Sequence, residues 1–402
     1  MRDGRSEDPR AHKPVTGKVV AMASAVVAPF LSLLPLILLS ACERAPKAGE
    51  AIPIVQKFGE VGDGWGQVSY PRAIDTDEGS VWVVDKLARV QRFNAKTGVT
   101  QGGWRMPQWQ VGKPTGVTAW APKGSSNDAF VFVPDTHYHR VCVYRVTRRG
   151  VDHAREIGEL VTQFGSYGEG PGQFVYPTDV VVIANAAGDG VERLLVSEYG
   201  GNDRINVYQR NDAKAPGAGG DYEFVTSFGK FGIAGEDDAD GSLVFNRLQS
   251  IALDATRNEI VLTDACNHRI GRVTIDGKLV AWYGCSPSSP RASDPAMKDQ
   301  PRLLYPYGLA VASDGTALVA EFGGVRVHRV DLATGASLGT YGKQGRNDGE
   351  LLTPWGVAVA GDDVFVLDSG NNRVQEFRLP RARSLAKSEN AGSPAAPKEG
   401  AP

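Results

Sequence analysis

The sequence predicts an all-β protein, a six-bladed β-propeller of four-stranded blades closed by an N-terminal strand that completes the last blade. Three observations lead there. A turn of an acid, small polar residues and an arginine recurs six times, most clearly as "DSGNNRVQEF" from Asp368 and "DACNHRIGRV" from Asp264. A short apolar stretch precedes each copy and opens near a proline, and a glycine-rich loop with an aromatic–Gly pair precedes most of those stretches. The arginines that anchor the copies, Arg89, Arg140, Arg204, Arg269, Arg326 and Arg373, stand 47 to 65 residues apart. Six copies at that spacing mark one repeat architecture rather than a series of unlike domains.

Each unit reads as four short strands. The innermost opens at the proline: "YPRAID", "KPTGVT", "YPTDVV", "YPYGLA" and "TPWGVA", with "RLQSIAL" placing Leu248 where the fourth copy lacks it. In the last copy "GVAVA", "VFVLD" and "RVQEF" follow in turn, each alternating or briefly apolar between Gly, Asn and Asp. Strands this short need neighbouring blades to cover their faces, and a closed ring leaves few exposed edges. The sixth copy ends after its third strand near Leu379, while "IVQKFG" from Ile54 precedes the first copy and matches a fourth strand. That pairing joins the two ends of the chain.

The recurring turn has a physical reason. Gly370, Asn371 and Asn372 tolerate the left-handed backbone of a tight reversal, and Asp368 accepts from its N–H groups. Asp85, Asp135, Glu198, Asp264, Glu321 and Asp368 are thus expected to pair with the six arginines as scaffolding. With its aromatic–Gly loop, proline-led strand and D-x-x-N-x-R turn in fixed order, the chain over residues 54–379 resembles the NHL repeat family of six-bladed β-propellers. That family includes binding scaffolds and enzymes, so the resemblance implies the fold and leaves the function to the site.

Two enzyme types related to the family place different demands on the channel residues. In peptidyl-amidoglycolate lyases, histidines directly after the strand-opening prolines hold zinc in the central channel; here those positions are Arg72, Thr115, Thr178, Gln249, Tyr307 and Trp355. None is histidine, and the lyase's tyrosine-bearing turn corresponds to "DACNHR", which lacks the tyrosine. A three-nitrogen zinc site needs three convergent imidazoles. His137, His139, His153, His268 and His328 offer two turns and no third partner, so surface roles are expected. Gluconolactonase-like propellers hold a cation with oxygen ligands, for which Gln249 and Asp179 are too few. The acidic "GEDDADG" loop replaces a glycine-rich loop and reads as a solvated turn. No metal, cofactor or catalytic residue is assigned.

The expectation is therefore a binding scaffold whose channel mouth, formed by Arg72, Thr115, Thr178, Asp179, Gln249, Tyr307 and Trp355, takes a protein, acidic peptide or glycan. Lys86, Tyr199 and Phe322 extend its rim. The alternative is a lyase or hydrolase with a divergent site. The formal net charge of −2 gives no footprint for nucleic acid.

The first 41 residues read as a secretory signal, with Lys13 and Lys18 ahead of an apolar run. "LSAC" resembles the bacterial lipobox, which makes Cys42 the lipidated N-terminus and places the propeller at the cell envelope, facing the periplasm or exterior. Residues 42–53 read as a tether, and 380–402, rich in Ala, Pro, Ser and Lys, as a disordered tail. Cys142 reads as a core thiol. Cys266 and Cys285 belong to one blade, and an exported setting allows them either a disulfide or two free thiols.

Overall fold

Alternation of apolar and polar residues along short strands is satisfied in the structure by stacking sheets side by side around an axis. The computed structural model describes residues 49–111, 113–125, 128–147, 156–211, 221–238 and 240–379. The expected signal peptide, Cys42 and the C-terminal tail lie outside the described residues.

Six four-stranded antiparallel sheets form the blades. Blade one comprises Pro71–Asp77, Ser80–Asp85, Arg89–Asn94 and Thr100–Arg105; blade four comprises Leu248–Asp254, Glu259–Asp264, Arg269–Thr274 and Leu279–Tyr283. Blade six takes three strands, Pro354–Ala360, Asp363–Asp368 and Arg373–Arg378, from the end of the chain. Its outermost strand is Ile54–Phe58, paired antiparallel with Arg373–Arg378.

The hydrophobic core is divided into six clusters, one for each seam between neighbouring blades. Trp82, Trp104, Val133 and Tyr144 fill the seam of blades one and two. Phe58, Phe93, Phe365 and Leu367 fill the seam where blade six meets blade one. Close approach near the axis demands glycine at some positions: a Cβ on Gly308 would stand 2.4 Å from the Cα of Gly356.

All six acid–arginine pairs form within their own blades, at 2.5 to 2.9 Å. Five of the six acids, all but Asp135, also reach back to the segment before the innermost strand. Asp85 accepts from the Ser69 N–H, Asp264 from Asn246 and Asp368 from Leu352. Five of the arginines donate to loop carbonyls, among them Arg89 to Gly64 and Arg373 to Glu350. One pair thus fixes the turn, the glycine-rich loop and the strand opening together. Removing one partner of such a buried pair costs about 3–5 kcal/mol, because the other charge stays buried.

Two sequence expectations need correction, and of the two alternatives for Cys266 and Cys285 the structure has one. The stretch read as a tether is partly docked: Ile52 is 3% exposed in the seam of blades five and six, and its N–H donates to Gly349 O. Packed chain therefore begins before Ile54. Cys266 and Cys285 are free thiols. Cys266 leans toward the segment before the innermost strand, its backbone N–H donating to Asn246 O, whereas Cys285 follows the outermost strand and bridges to Arg302. His328 is not at the surface. It is 3% exposed, hydrogen-bonded to Glu321 at 2.9 Å and to Ser337 at 2.6 Å.

Candidate functional site

The innermost strands line a central cavity of about 330 Å³. Five of them carry an irregularity in register at their opening, between Pro71 and Ala73, Pro177 and Asp179, Leu248 and Ser250, Pro306 and Leu309, and Pro354 and Val357. Bulges re-aim side chains. Here they fall on the residues singled out from the sequence. Arg72, Thr115, Asp179, Gln249, Tyr307 and Trp355 all line the cavity.

Thr178 does not. It is fully buried beside the seam, where its hydroxyl meets Ser197 Oγ at 2.8 Å and Leu248 O at 3.0 Å. A short hydroxyl side chain satisfied by a nearby carbonyl has no need of the channel. Thr115 lines the cavity, but its hydroxyl is engaged with Thr136 at 2.8 Å.

Aromatic rings and two arginines dominate the mouth. Tyr307 stacks on Phe322 with centroids 4.7 Å apart and meets Trp355 edge-on at 5.0 Å. The Arg72 guanidinium lies over Trp355 at 5.0 Å and Tyr70 at 5.8 Å. The Arg247 guanidinium lies over Tyr199 at 5.0 Å and Tyr307 at 5.2 Å. Lys86 is exposed at the turn position that corresponds to Tyr199 and Phe322.

Tyr70, Arg247 and Tyr305 were missed in the sequence. They occupy the position just before the strand-opening proline, or before Leu248, and adopt φ of 45°, 64° and 50°. Left-handed backbone is uncommon for such side chains and persists where the surroundings impose it. The preceding blade imposes it here. Asn372 accepts from Tyr70 N–H at 2.8 Å, Asp203 accepts from Arg247 N–H, and His268 Nδ1 accepts from Tyr305 N–H at 3.2 Å. Each acceptor directly precedes, in sequence, an anchoring arginine. His139, at the same position in blade two, bonds Val175 O at 2.5 Å. The repeat period carries that signal.

Burial holds Arg72 below its ordinary arginine value, and the nearby charge of Arg247 acts the same way. Burial lowers His137 as well, and the charge of Arg72 acts the same way. Deeper in the channel stand two carboxyls without a cation. Asp75 accepts from Ala119 N–H at 2.7 Å and is pushed up to about 7 by burial; Asp179 accepts from Ser250 Oγ at 2.6 Å and is pushed up to about 6 by burial. Among the described residues, no three His, Cys, Asp or Glu side chains are grouped to hold a metal ion.

Fold and site together define the class, a six-bladed β-propeller with a cationic, aromatic channel mouth. Residues 351–377, most of blade six, match the NHL repeat. Similar solved structures include a structural genomics protein of unknown function from Bacteroides thetaiotaomicron VPI-5482. It is 11% identical with a TM-score of 0.52, covering 80% of this chain and 72% of that one. Virginiamycin B lyase from Staphylococcus aureus is 15% identical with a TM-score of 0.43, over 81% of this chain and 88% of that one. The PQQ-bound aldose sugar dehydrogenase from Streptomyces coelicolor is 15% identical with a TM-score of 0.47, over 83% and 99%. No curated protein matches the chain in sequence.

Proposed function

We propose that this protein is an envelope-located binding module, tethered through lipid on Cys42, whose channel mouth captures an acidic ligand. One observation carries the reading. Arg72, Gln249, Tyr307 and Trp355 come from four blades, share no chemistry that the repeat requires, and line one cavity. Side chains that serve only the scaffold recur from blade to blade, as the acid–arginine pairs do. These do not. Sites of this kind combine aromatic area with a few placed polar groups. The location rests on the N-terminal sequence, whose basic, apolar and Cys-ending order is that of an exported lipoprotein.

A screen of acidic peptides and oligosaccharides against purified protein tests the reading. Trp355→Ala and Arg72→Ala are expected to weaken the ligand found by at least tenfold, with little change in melting temperature. A ligand that binds both variants as tightly as the parent protein places the site elsewhere.

A second reading, a divergent lyase or hydrolase, has one observation in its favour. Asp75 and Asp179 line the same cavity with carboxyls that titrate near neutrality, as general acids and bases do. Their hydrogen bonds to neighbouring blades give both a structural task, so binding is the better supported reading.

A further inference from the structure

The two arginines at the mouth form a single arrangement with the rings between them. Arg72, Trp355, Tyr307 and Arg247 follow one another in steps of 5.0, 5.0 and 5.2 Å. Neither guanidinium is in an ion pair among the described residues. Arg72 Nε and Trp355 Nε1 are buried donors without an acceptor, although buried donors are ordinarily satisfied. Arg247 makes one long contact, 3.4 Å from its Nε to Gln249 Oε1.

The rings are placed to hold the cations. Cation–π contact fixes a guanidinium plane against a ring face and leaves its N–H edge free. Trp355 and Tyr307 therefore present guanidiniums to a ligand, which removes the stacking platforms that a sugar ring would use. Planar N–H edges match planar carboxylates, which they bind with two parallel hydrogen bonds. Among the described residues there is no α-helix, so no α-helix N-terminus supplies backbone donors for phosphate at the mouth.

We infer that the channel mouth binds a small acid bearing two carboxylate groups, one held by Arg72 and the other by Arg247, with the acid's body over the cavity. The inference deepens the binding reading and rests on it. Two fixed cations without counter-ions explain why arginine stands both after the opening proline of blade one and before Leu248 in blade four.

Titration calorimetry with citrate, malonate, acetate and inorganic phosphate tests it on the parent protein, Arg72→Gln, Arg247→Gln and both lysine variants. Citrate or malonate is expected to bind at least tenfold tighter than acetate or phosphate. Each glutamine variant is expected to lose that preference, and each lysine variant to bind more weakly than the parent. Melting temperatures identify any variant that fails to fold, in which case the lysine variant at that position decides. Equal binding of acetate and citrate, tighter binding of phosphate, or an Arg247→Gln variant indistinguishable from the parent overturns the two-carboxylate assignment. If none of these acids binds while a screened ligand still depends on Trp355, the inference fails and the binding reading stands.

Discussion

Asp75 sits in a wall of the channel where its two hydrogen bonds come from backbone N–H groups of Thr76 and Ala119, and no cation is near enough to pair with it. Burial therefore favours its protonated form, with a value of about 7 against an ordinary 3.8. The sign follows directly. Between about pH 4 and pH 7 the folded protein binds more protons than the unfolded chain, so stability falls as pH rises through that window. The penalty is complete above about 7 and absent below about 4. Asp75→Asn is expected to flatten this fall, cutting the stability difference between pH 5 and pH 8 by on the order of 2 kcal/mol. Urea unfolding of both proteins at both pH values measures it, and identical slopes would mean that Asp75 is ionised at neutrality in the fold. Comparing slopes removes the hydrogen bond that the amide loses at every pH.

The strand Ile54–Phe58 contributes more than its length implies. Phe58 packs 5.1 Å from Phe93 and 6.4 Å from Phe365, joining rings of blades one and six. Gln56 donates to Ala95 O at 2.6 Å, a second tie to blade one. Burying one phenylalanine stabilises by about 1.5–3 kcal/mol, and the pairing also covers the edge of Arg373–Arg378. Deleting residues 54–59 is therefore expected to cost at least ~3 kcal/mol and to expose a strand edge that promotes association. Thermal unfolding with light scattering follows both, and an unchanged melting temperature would show that the ring closes without this strand.

For the whole molecule, the proposed tethering depends on acyl chains at Cys42. Cys42→Ser is expected to move the protein from the membrane fraction to the soluble fraction, since stable attachment of this kind needs lipid. Mass spectrometry of the N-terminus checks the chemistry independently. An intact chain running through an unmodified Cys42 would be inconsistent with the lipoprotein.

Much of the repeat is legible in the sequence because its causes are local. The acid and arginine of each turn lie four to six residues apart, so a tight reversal alone brings Asp85 to Arg89 or Asp368 to Arg373. The strand-opening residues recur with the period, which is why Arg72, Gln249, Tyr307 and Trp355 are readable as channel residues. Other features depend on contacts between distant segments. Arg247 reaches the mouth because Asp203, in the preceding blade, holds its backbone left-handed, and no pattern within blade four signals that. Thr178 shares the repeat position of Arg72 yet turns to Leu248 O in the next blade, and Cys266 and Cys285 share a blade but stand at opposite sides of it. The sequence alone determined the six-fold repeat and its internal ion pairs, since these arise from turn geometry and strand alternation. Only the tertiary structure decided which side chains face the channel and which cations there lack a counter-ion, because both follow from how one blade seats against the next.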